Sequence, residues 1–447
     1  MSPATSADGD AATESGTASG PRVAIVGAGI TGLSLTHALA ERDVESVAYE
    51  STNEVGGVLH SEEVDGHLLE TGPQRLRLTD AIRAMVTDLD IADELITADD
   101  DLPLLVYAGG KLREVPRSPK AFLRTDLLSW KAKLRLLAEP LTGNIDPDES
   151  AEDAFVRKFG TETYTNLISP IFGGTYGSDP AEMPAKYALE PIMRLEQRDG
   201  NLLRPALSRI FFDNGETPPP ATFESGLQRL PDALGERYED RVRLETPVTE
   251  IEQAADTDGD DSEWLVHTAD GAERFDRVVV TTPADVTADL VEGMDETSAE
   301  ALRELNYNPL VLVHLHSEAR ADGFGYQVRR SEPLKTLGVT WNASLFGREG
   351  VYTAFMGGMH DPGAIDRDPE ELGETAAAEF EQVMGVEAAV LNVARVPNAF
   401  PAWDRSWAAS EKIDLPEAIT LATNYTGRMG LPSRVREARK LAGEFAR

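Results

Sequence analysis

A short apolar run, Arg22-Val-Ala-Ile-Val26, leads straight into Gly27-Ala-Gly-Ile-Thr-Gly32, and leucines alternate with small residues from Leu33 to Ala40. A strand, a glycine turn and a helix in that order leave few folds open. Gly27 permits the tight turn, Gly29 lets a pyrophosphate approach the backbone, and Gly32 lets helix and strand pack closely. With Ala28, Ile30 and Thr31 between them, the helix start offers free N–H groups and its dipole to a phosphate. Ser46-Val-Ala-Tyr-Glu50 reads as the next strand and completes a βαβ unit. Glu50 closes it, 18 residues past Gly32, where a carboxylate accepts hydrogen bonds from ribose hydroxyls. The expected fold class is α/β with a Rossmann-like dinucleotide-binding domain.

Glu50-Ser51 is followed by a second glycine pair, Gly56-Gly57, and then by Glu70-Thr-Gly72-Pro73. NAD needs no such pair. FAD buried lengthwise does, because a second stretch of backbone without side chains must pass the ligand. On these residues alone, a plain loop glycine pair remains the alternative.

The chain has 447 residues, enough for two or three domains and an ample core. Its 78 Asp plus Glu against 42 Lys plus Arg give a formal net charge of -36, and only 9 of the basic residues are Lys. Acidity of that kind along the whole length suits a surface solvated in concentrated salt, so a halophilic, haloarchaeal source is expected. It excludes a general nucleic-acid binder, which needs a basic footprint. The absence of Cys excludes disulfide scaffolds, thiolate zinc sites and thiol nucleophiles. No apolar run approaches the roughly 18–20 residues of a spanning helix. Residues 1–20 lack a basic n-region and an apolar h-region and read as a disordered tail, so a cytoplasmic chain is expected.

Residues 80–96 read as a helix, 111–205 as mostly helical with proline breaks, and the C-terminus as a helix from about Ser433. Strand character marks 242–244, 250–251, 277–281 and the alternating stretch 310–316, and the acidic 256–262 reads as a hairpin tip. The expected division is a tail at 1–20 and an FAD-binding domain from 21–80, 220–285 and 395–447. A mixed α+β substrate domain takes 81–110, 206–219 and 286–394, and a helical insertion takes 111–205. His314 and His316 share a strand face, but spacing places no third ligand, so no metal is expected. Phe172, Tyr176, Trp341 and Phe355 either line a flat apolar pocket or are plain core.

Gly27–Gly32 with Glu50 and Gly56-Gly57 resembles the FAD-dependent amine oxidase superfamily. Later stretches resemble its protoporphyrinogen oxidase branch: Glu70-Thr-Gly-Pro-Gln-Arg-Leu-Arg77, Ile168-Ser-Pro-Ile-Phe-Gly-Gly-Thr-Tyr-Gly-Ser-Asp-Pro180, Leu195-Glu196 to Gly200-Asn-Leu-Leu203, Thr222 to Pro231, Thr246-Pro-Val-Thr-Glu-Ile251 and Asn424-Tyr-Thr-Gly427. The similarity runs over about 21–447. It implies an FAD enzyme that oxidises a porphyrinogen to a porphyrin by hydride transfer to the flavin, with protoporphyrinogen IX as substrate and oxygen as acceptor, in heme biosynthesis. Cofactor contacts implied for this chain are Gly27 to Gly32, Glu50, Ser51, Gly56, Gly57, Gly72, Pro73, Gln74, Arg75, Val248 beside the adenine, and Met429, Gly430 and Leu431 at the flavin ring. Arg77 is implied as the anchor of a substrate propionate, for which a guanidinium fork is well shaped. Gly173 and Gly174 are implied to let the macrocycle approach, and Phe355 to line its pocket. The terminal segment departs from the branch: Gly427-Arg-Met-Gly-Leu-Pro-Ser-Arg434 has neither the usual Asp nor the usual Cys. Coproporphyrinogen III, an amine or carotenoid substrate, and a low-turnover tetrapyrrole carrier stay open as alternatives.

Residues 111–135 hold eight basic residues against Glu114 and Asp126, interleaved with Phe122, Leu123, Trp130 and further leucines. A basic amphipathic helix with Trp at its boundary lies well in an anionic membrane interface. The other reading is an ordinary helix with a solvated basic face. Peripheral membrane contact through 111–137 is thus an expectation beside the tetrapyrrole partner, and no reading of oligomeric state emerges.

Overall fold

Val23–Val26 is buried at all four positions, as a strand covered on both faces must be. In the computed structural model, which describes residues 20–99, 101–205, 217–254 and 263–446, it is the middle strand of a five-stranded parallel sheet. The tail 1–19 and the stretch 256–262 lie outside the described residues, as does most of 206–219. Val26 stands opposite Tyr49 on one side and Val280 on the other, so three strands end level with one another. The turn at Gly27 therefore emerges at the carboxyl edge of the sheet, where open α/β sheets take their ligands. Helices Ile30–Ala40 and Leu431–Phe445 cover one face, with Leu35, Ala38 and Leu39 packed beside Ala438, Leu441 and Ala442. The antiparallel strands Glu250–Gln253, Trp264–Thr268 and Gly271–Phe275 cover the other through Ile251, Trp264, Val266 and Phe275. Each fully buried large apolar side chain here contributes about 1.5–3 kcal/mol.

A seven-stranded mixed sheet carries the second layer, with Tyr307–His316 and Val351–Gly357 among its inner strands. Strand alternation sends Tyr352, Ala354 and Met356 into a core with Leu372 and Phe380 of helix Pro369–Met384. Thr353 and Phe355 point to the other face, toward the glycine-turn domain. On that face His314 Nε2 lies 2.9 Å from Glu70 O. Asn342 Nδ2 donates to Gln74 Oε1 at 2.9 Å and to Thr353 Oγ1 at 3.0 Å. These contacts tie the segment after Glu70 to the second sheet.

The segment from 111 is helical only later than the sequence reading places it. Lys111–Glu114 is a strand paired with Leu104–Ala108, because Gly109 and Gly110, at φ +59° and +73°, make the tight turn between them. Short helices at Pro119–Arg124 and Trp130–Leu136 follow, in place of one continuous amphipathic helix. The helix expected over 80–96 stops at Asp88, and Leu95–Thr97 instead pairs with Pro220–Phe223. Residues 395–401 belong to the long strand Ala389–Pro401 of the second sheet. The last helix begins at Leu431, with Pro432 in its first turn. Lys158, fully buried, sits between the buried carboxylates of Glu139, at 3.1 Å, and Glu196. The amides of Leu202, Leu203 and Ile145 complete that cluster. Among the described residues, no helix is long and apolar enough to cross a membrane.

Candidate cofactor and substrate site

Gly27 takes φ +102°, and a Cβ there would meet Thr281 Oγ1 at 2.7 Å. A Cβ on Gly32 would lie 2.0 Å from Gly27 O, so this glycine serves the packing of helix on turn. Gly29 is different. Its backbone is extended, and the nearest atom to its Cβ position is Gly56 O at 4.0 Å, which leaves room in front of the helix start. The helix ladder opens with Leu33 N–H donating to Gly29 O at 3.0 Å, so the amides of Ile30, Thr31 and Gly32 precede it. No side chain caps them and the first turn carries no acidic residue.

The two glycine clusters form one surface. Gly56 N–H donates to Ala28 O at 2.9 Å, Gly29 and Gly56 make a parallel bridge, and Gly57 lies against Gly29 Cα. Glu50 stands at the rim, half-buried: Oε2 accepts Ala28 N–H at 2.9 Å, and Oε1 accepts Thr52 N–H at 3.0 Å and Ser51 Oγ at 3.2 Å. Oε2 keeps acceptor capacity for a ribose hydroxyl. Thr246 N–H donates to Glu50 O at 2.8 Å, which brings the chain leading to half-buried Val248 beside the same rim.

Gly72 is pressed onto the residue after the glycine pair: a Cβ there would lie 1.9 Å from Val58 O. Val58 itself is 57% exposed, an uncovered apolar side chain at the edge of the cradle. Pro73 follows half-buried, and Gln74 Nε2 donates to Glu70 O at 2.8 Å and Gly72 O at 3.0 Å, holding the turn with its own amide. Arg75 and Arg77 both lie against Phe324, at 5.5 and 5.8 Å from the ring centre. Burial, together with the neighbouring charge of Arg77, pushes the Arg75 guanidinium down to about 10. Arg77 donates to Pro218 O at 2.9 Å. At the C-terminal end, Gly430 takes φ +98° ahead of Leu431–Phe445, with open space where its Cβ would be. Half-buried Met429 precedes it. Buried Arg434 reaches back to Arg428 O at 3.0 Å and to Thr423 O, which pins this turn.

Gly173 and Gly174 lie on helix Ser169–Tyr176 and border a cavity of about 150 Å³ with Arg329, Arg330, Lys335 and His360. The room left by Gly174 is filled by Gln327, whose Oε1 is 2.0 Å from the Cβ position. A larger cavity, about 900 Å³, opens between the turn Tyr425–Met429 and the helical segment, walled by Phe172, Ile192, Trp403 and Trp407. Phe355 is half-buried on the sheet face described above, and Arg77 lines neither cavity.

The residues present fit FAD. Open space lies before Gly29 and Gly430, helix amides stand ahead of their ladder, a half-buried carboxylate stands at the rim, and an uncovered valine borders the cradle. The structure thus brings Gly27 to Gly32, Glu50, Ser51, Gly56, Gly57 and Gly72 onto one surface. Sequence reasoning missed four contributors: Asn342, Gln327, Arg434 and the buried carboxylate Glu70. Glu70 accepts Ser61 Oγ at 2.6 Å and Leu227 N–H at 3.0 Å, and burial raises its pKa. Asn342, Gln327 and Glu70 meet Gln74, Gly174 and Leu227 far away in sequence, and Arg434 meets Arg428 and Thr423 across a turn, so no local period or spacing marks them.

The profile of the flavin containing amine oxidoreductase family matches residues 30–411. Protoporphyrinogen oxidase 1, chloroplastic, of Spinacia oleracea is 29% identical over 91% of this chain and 78% of its own length. Coproporphyrinogen III oxidase of Staphylococcus aureus is 25% identical over 85% of this chain and 88% of its own. Among solved structures, a protein of Exiguobacterium sp. 255-15 proposed to be a protoporphyrinogen oxidase superposes with TM-score 0.76 at 21% identity, covering 95% of this chain and 98% of that one. Cyclohexylamine oxidase of Brevibacterium oxydans IH-35A shares the fold at TM-score 0.70 and 14% identity, covering 96% and 99%.

Proposed function

Because the chain belongs to the flavin containing amine oxidoreductase family and is an FAD-dependent oxidoreductase, we propose that it oxidises a porphyrinogen to a porphyrin in heme biosynthesis, with protoporphyrinogen IX as substrate and oxygen as acceptor. One observation carries this reading: similarity to a protoporphyrinogen oxidase extends over nine-tenths of the chain, and the stretch Ile168–Pro180 that shares its pattern supplies walls of both cavities.

FAD, when bound, supplies the electron-pair acceptor, and six electrons leave the macrocycle as three pairs. The residues fitted to hold it are those of the glycine cradle, Glu50, the Gly72–Arg75 turn and Met429 to Leu431. The chain's own part is to bind, orient and exclude water. Phe172, Trp403 and Trp407 offer apolar walls to a flat macrocycle. No acid–base pair is required of them, because the ring nitrogens shed their own protons. Arg77, the propionate anchor implied by the resemblance, lines neither cavity and donates to Pro218 O at 2.9 Å, so it is not given that role here. Coproporphyrinogen III, with four carboxylates, calls for a more basic pocket. In the cavity walled by those aromatics Lys186 is instead paired with Glu411 at 2.9 Å and Arg194 with Glu190, which favours the substrate with fewer carboxylates. Anaerobic mixing of the FAD-loaded protein with protoporphyrinogen IX tests the reading: flavin absorbance bleaches as the first electron pair is taken up, porphyrin accumulates once oxygen is admitted, and an unbleached flavin would refute it.

Peripheral contact with the inner face of the cell membrane is proposed through the two short helices. Leu123, Trp130, Leu134, Leu137 and Leu141 are each more than half exposed there. Lys120, Arg124 and Lys131 are exposed among them. Apolar side chains rimmed by cations are the surface an anionic bilayer takes.

A further inference from the structure

His37 is 2% exposed in the last turn of helix Ile30–Ala40, yet its Nε2 has no hydrogen-bond partner. That nitrogen points between two carboxylates, Glu41 Oε2 and Asp88 Oδ2, each 3.9 Å away. At that distance neither is a hydrogen bond. The other ring nitrogen, Nδ1, is held by Tyr238 Oη at 2.8 Å. In the tautomer whose Nδ1–H donates to Tyr238, the Nε2 lone pair faces two anions. Such an arrangement is completed by a cation.

We propose that His37, Glu41 and Asp88 form a binding site for one divalent transition-metal ion of the zinc type. His37 and Glu41 are one turn apart on one helix face, and Asp88 closes the set from the end of helix Asp80–Asp88. The three ligand atoms lie within 4.8 Å of one another, and metal–ligand bonds of about 2.0–2.2 Å place an ion between them after small side-chain rotations. An imidazole nitrogen selects a transition metal over magnesium or calcium, which prefer oxygen. Tyr238 would fix the ring as the outer partner of a ligating histidine does. The ion would staple the helix that begins at the pyrophosphate turn to its neighbour, far from the substrate cavities.

The test uses the FAD-bound protein, stripped of metal with a chelator and titrated calorimetrically with ZnCl2 and, separately, MgCl2. The expected result is one zinc ion per chain and no saturable magnesium binding. Glu41→Gln with Asp88→Asn, both changes on partly exposed side chains, should abolish that binding while leaving the flavin spectrum and the melting of the metal-free protein unchanged. Tyr238→Phe should weaken it about tenfold to a hundredfold. Absence of saturable zinc binding, zinc binding that survives the double substitution, or magnesium binding of equal strength would each overturn the proposal.

Discussion

A side chain at Gly32 would sit 2.0 Å from Gly27 O, whereas one at Gly29 would first meet Gly56 O at 4.0 Å. The two glycines therefore fail differently when replaced. Gly32→Ala forces turn and helix apart and should cost about 1–3 kcal/mol, read as a lower urea midpoint of the flavin-free protein. Gly29→Ala should leave that midpoint in place and weaken FAD binding at least tenfold, about 1.4 kcal/mol, measured by flavin fluorescence titration. Glu70 gives a pH signature. Burial raises its folded pKa above the unfolded value of about 4.3, so its contribution to stability is full below that value and is lost as pH rises through the folded pKa. Glu70→Gln does not titrate. Urea midpoints of the unaltered protein should accordingly fall relative to the variant as pH climbs from about 4 toward neutrality, and a constant difference would contradict the assignment. At this scale the glycines were legible because a strand and a helix bracket them. Asn342 and Arg434 were not, because their partners Gln74 and Thr423 are reached only through the tertiary fold.

Elements were legible where burial imposes one period and illegible where a turn or a partner strand decides. Val23–Val26 and Ile30–Ala40 are buried almost throughout and follow their sequence patterns. The helix after Thr79 was overextended because αL geometry at Asp90 and pairing with Pro220–Phe223 override the apolar spacing beyond Asp88. The basic stretch was read as one helix, but Lys133 turns inward and donates to Leu123 O at 3.0 Å and Thr125 O at 2.8 Å, so it is not part of a solvated face. The remaining exposed patch makes its own prediction. Replacing Trp130, Leu134 and Leu137 with Ser should abolish co-sedimentation with anionic vesicles and leave the melting temperature unchanged. Deeper in the same segment, Lys158→Met leaves Glu139 and Glu196 buried without their cation. A loss of about 3–5 kcal/mol in denaturant unfolding is expected, and a neutral result would contradict it.

Across the molecule, one parallel sheet presents a dinucleotide cradle at its carboxyl edge, while the seven-stranded sheet and the helical segment supply the walls of the two cavities. Hydrogen bonds from Asn342 Nδ2 to Gln74 Oε1 and from His314 Nε2 to Glu70 O join the two layers, so the flavin-side turn and the substrate-side sheet are positioned together. The excess of acidic residues surrounds this frame without entering the argument for its chemistry. The central claim is porphyrinogen oxidation, and it is tested most directly by the rise of porphyrin fluorescence in air. Protein purified in molar KCl, FAD-loaded or flavin-stripped, would be given protoporphyrinogen IX and coproporphyrinogen III in parallel. The account predicts a rate well above the stripped control, and faster with protoporphyrinogen IX; a rate no greater than that control with either substrate, despite bound flavin, would contradict it.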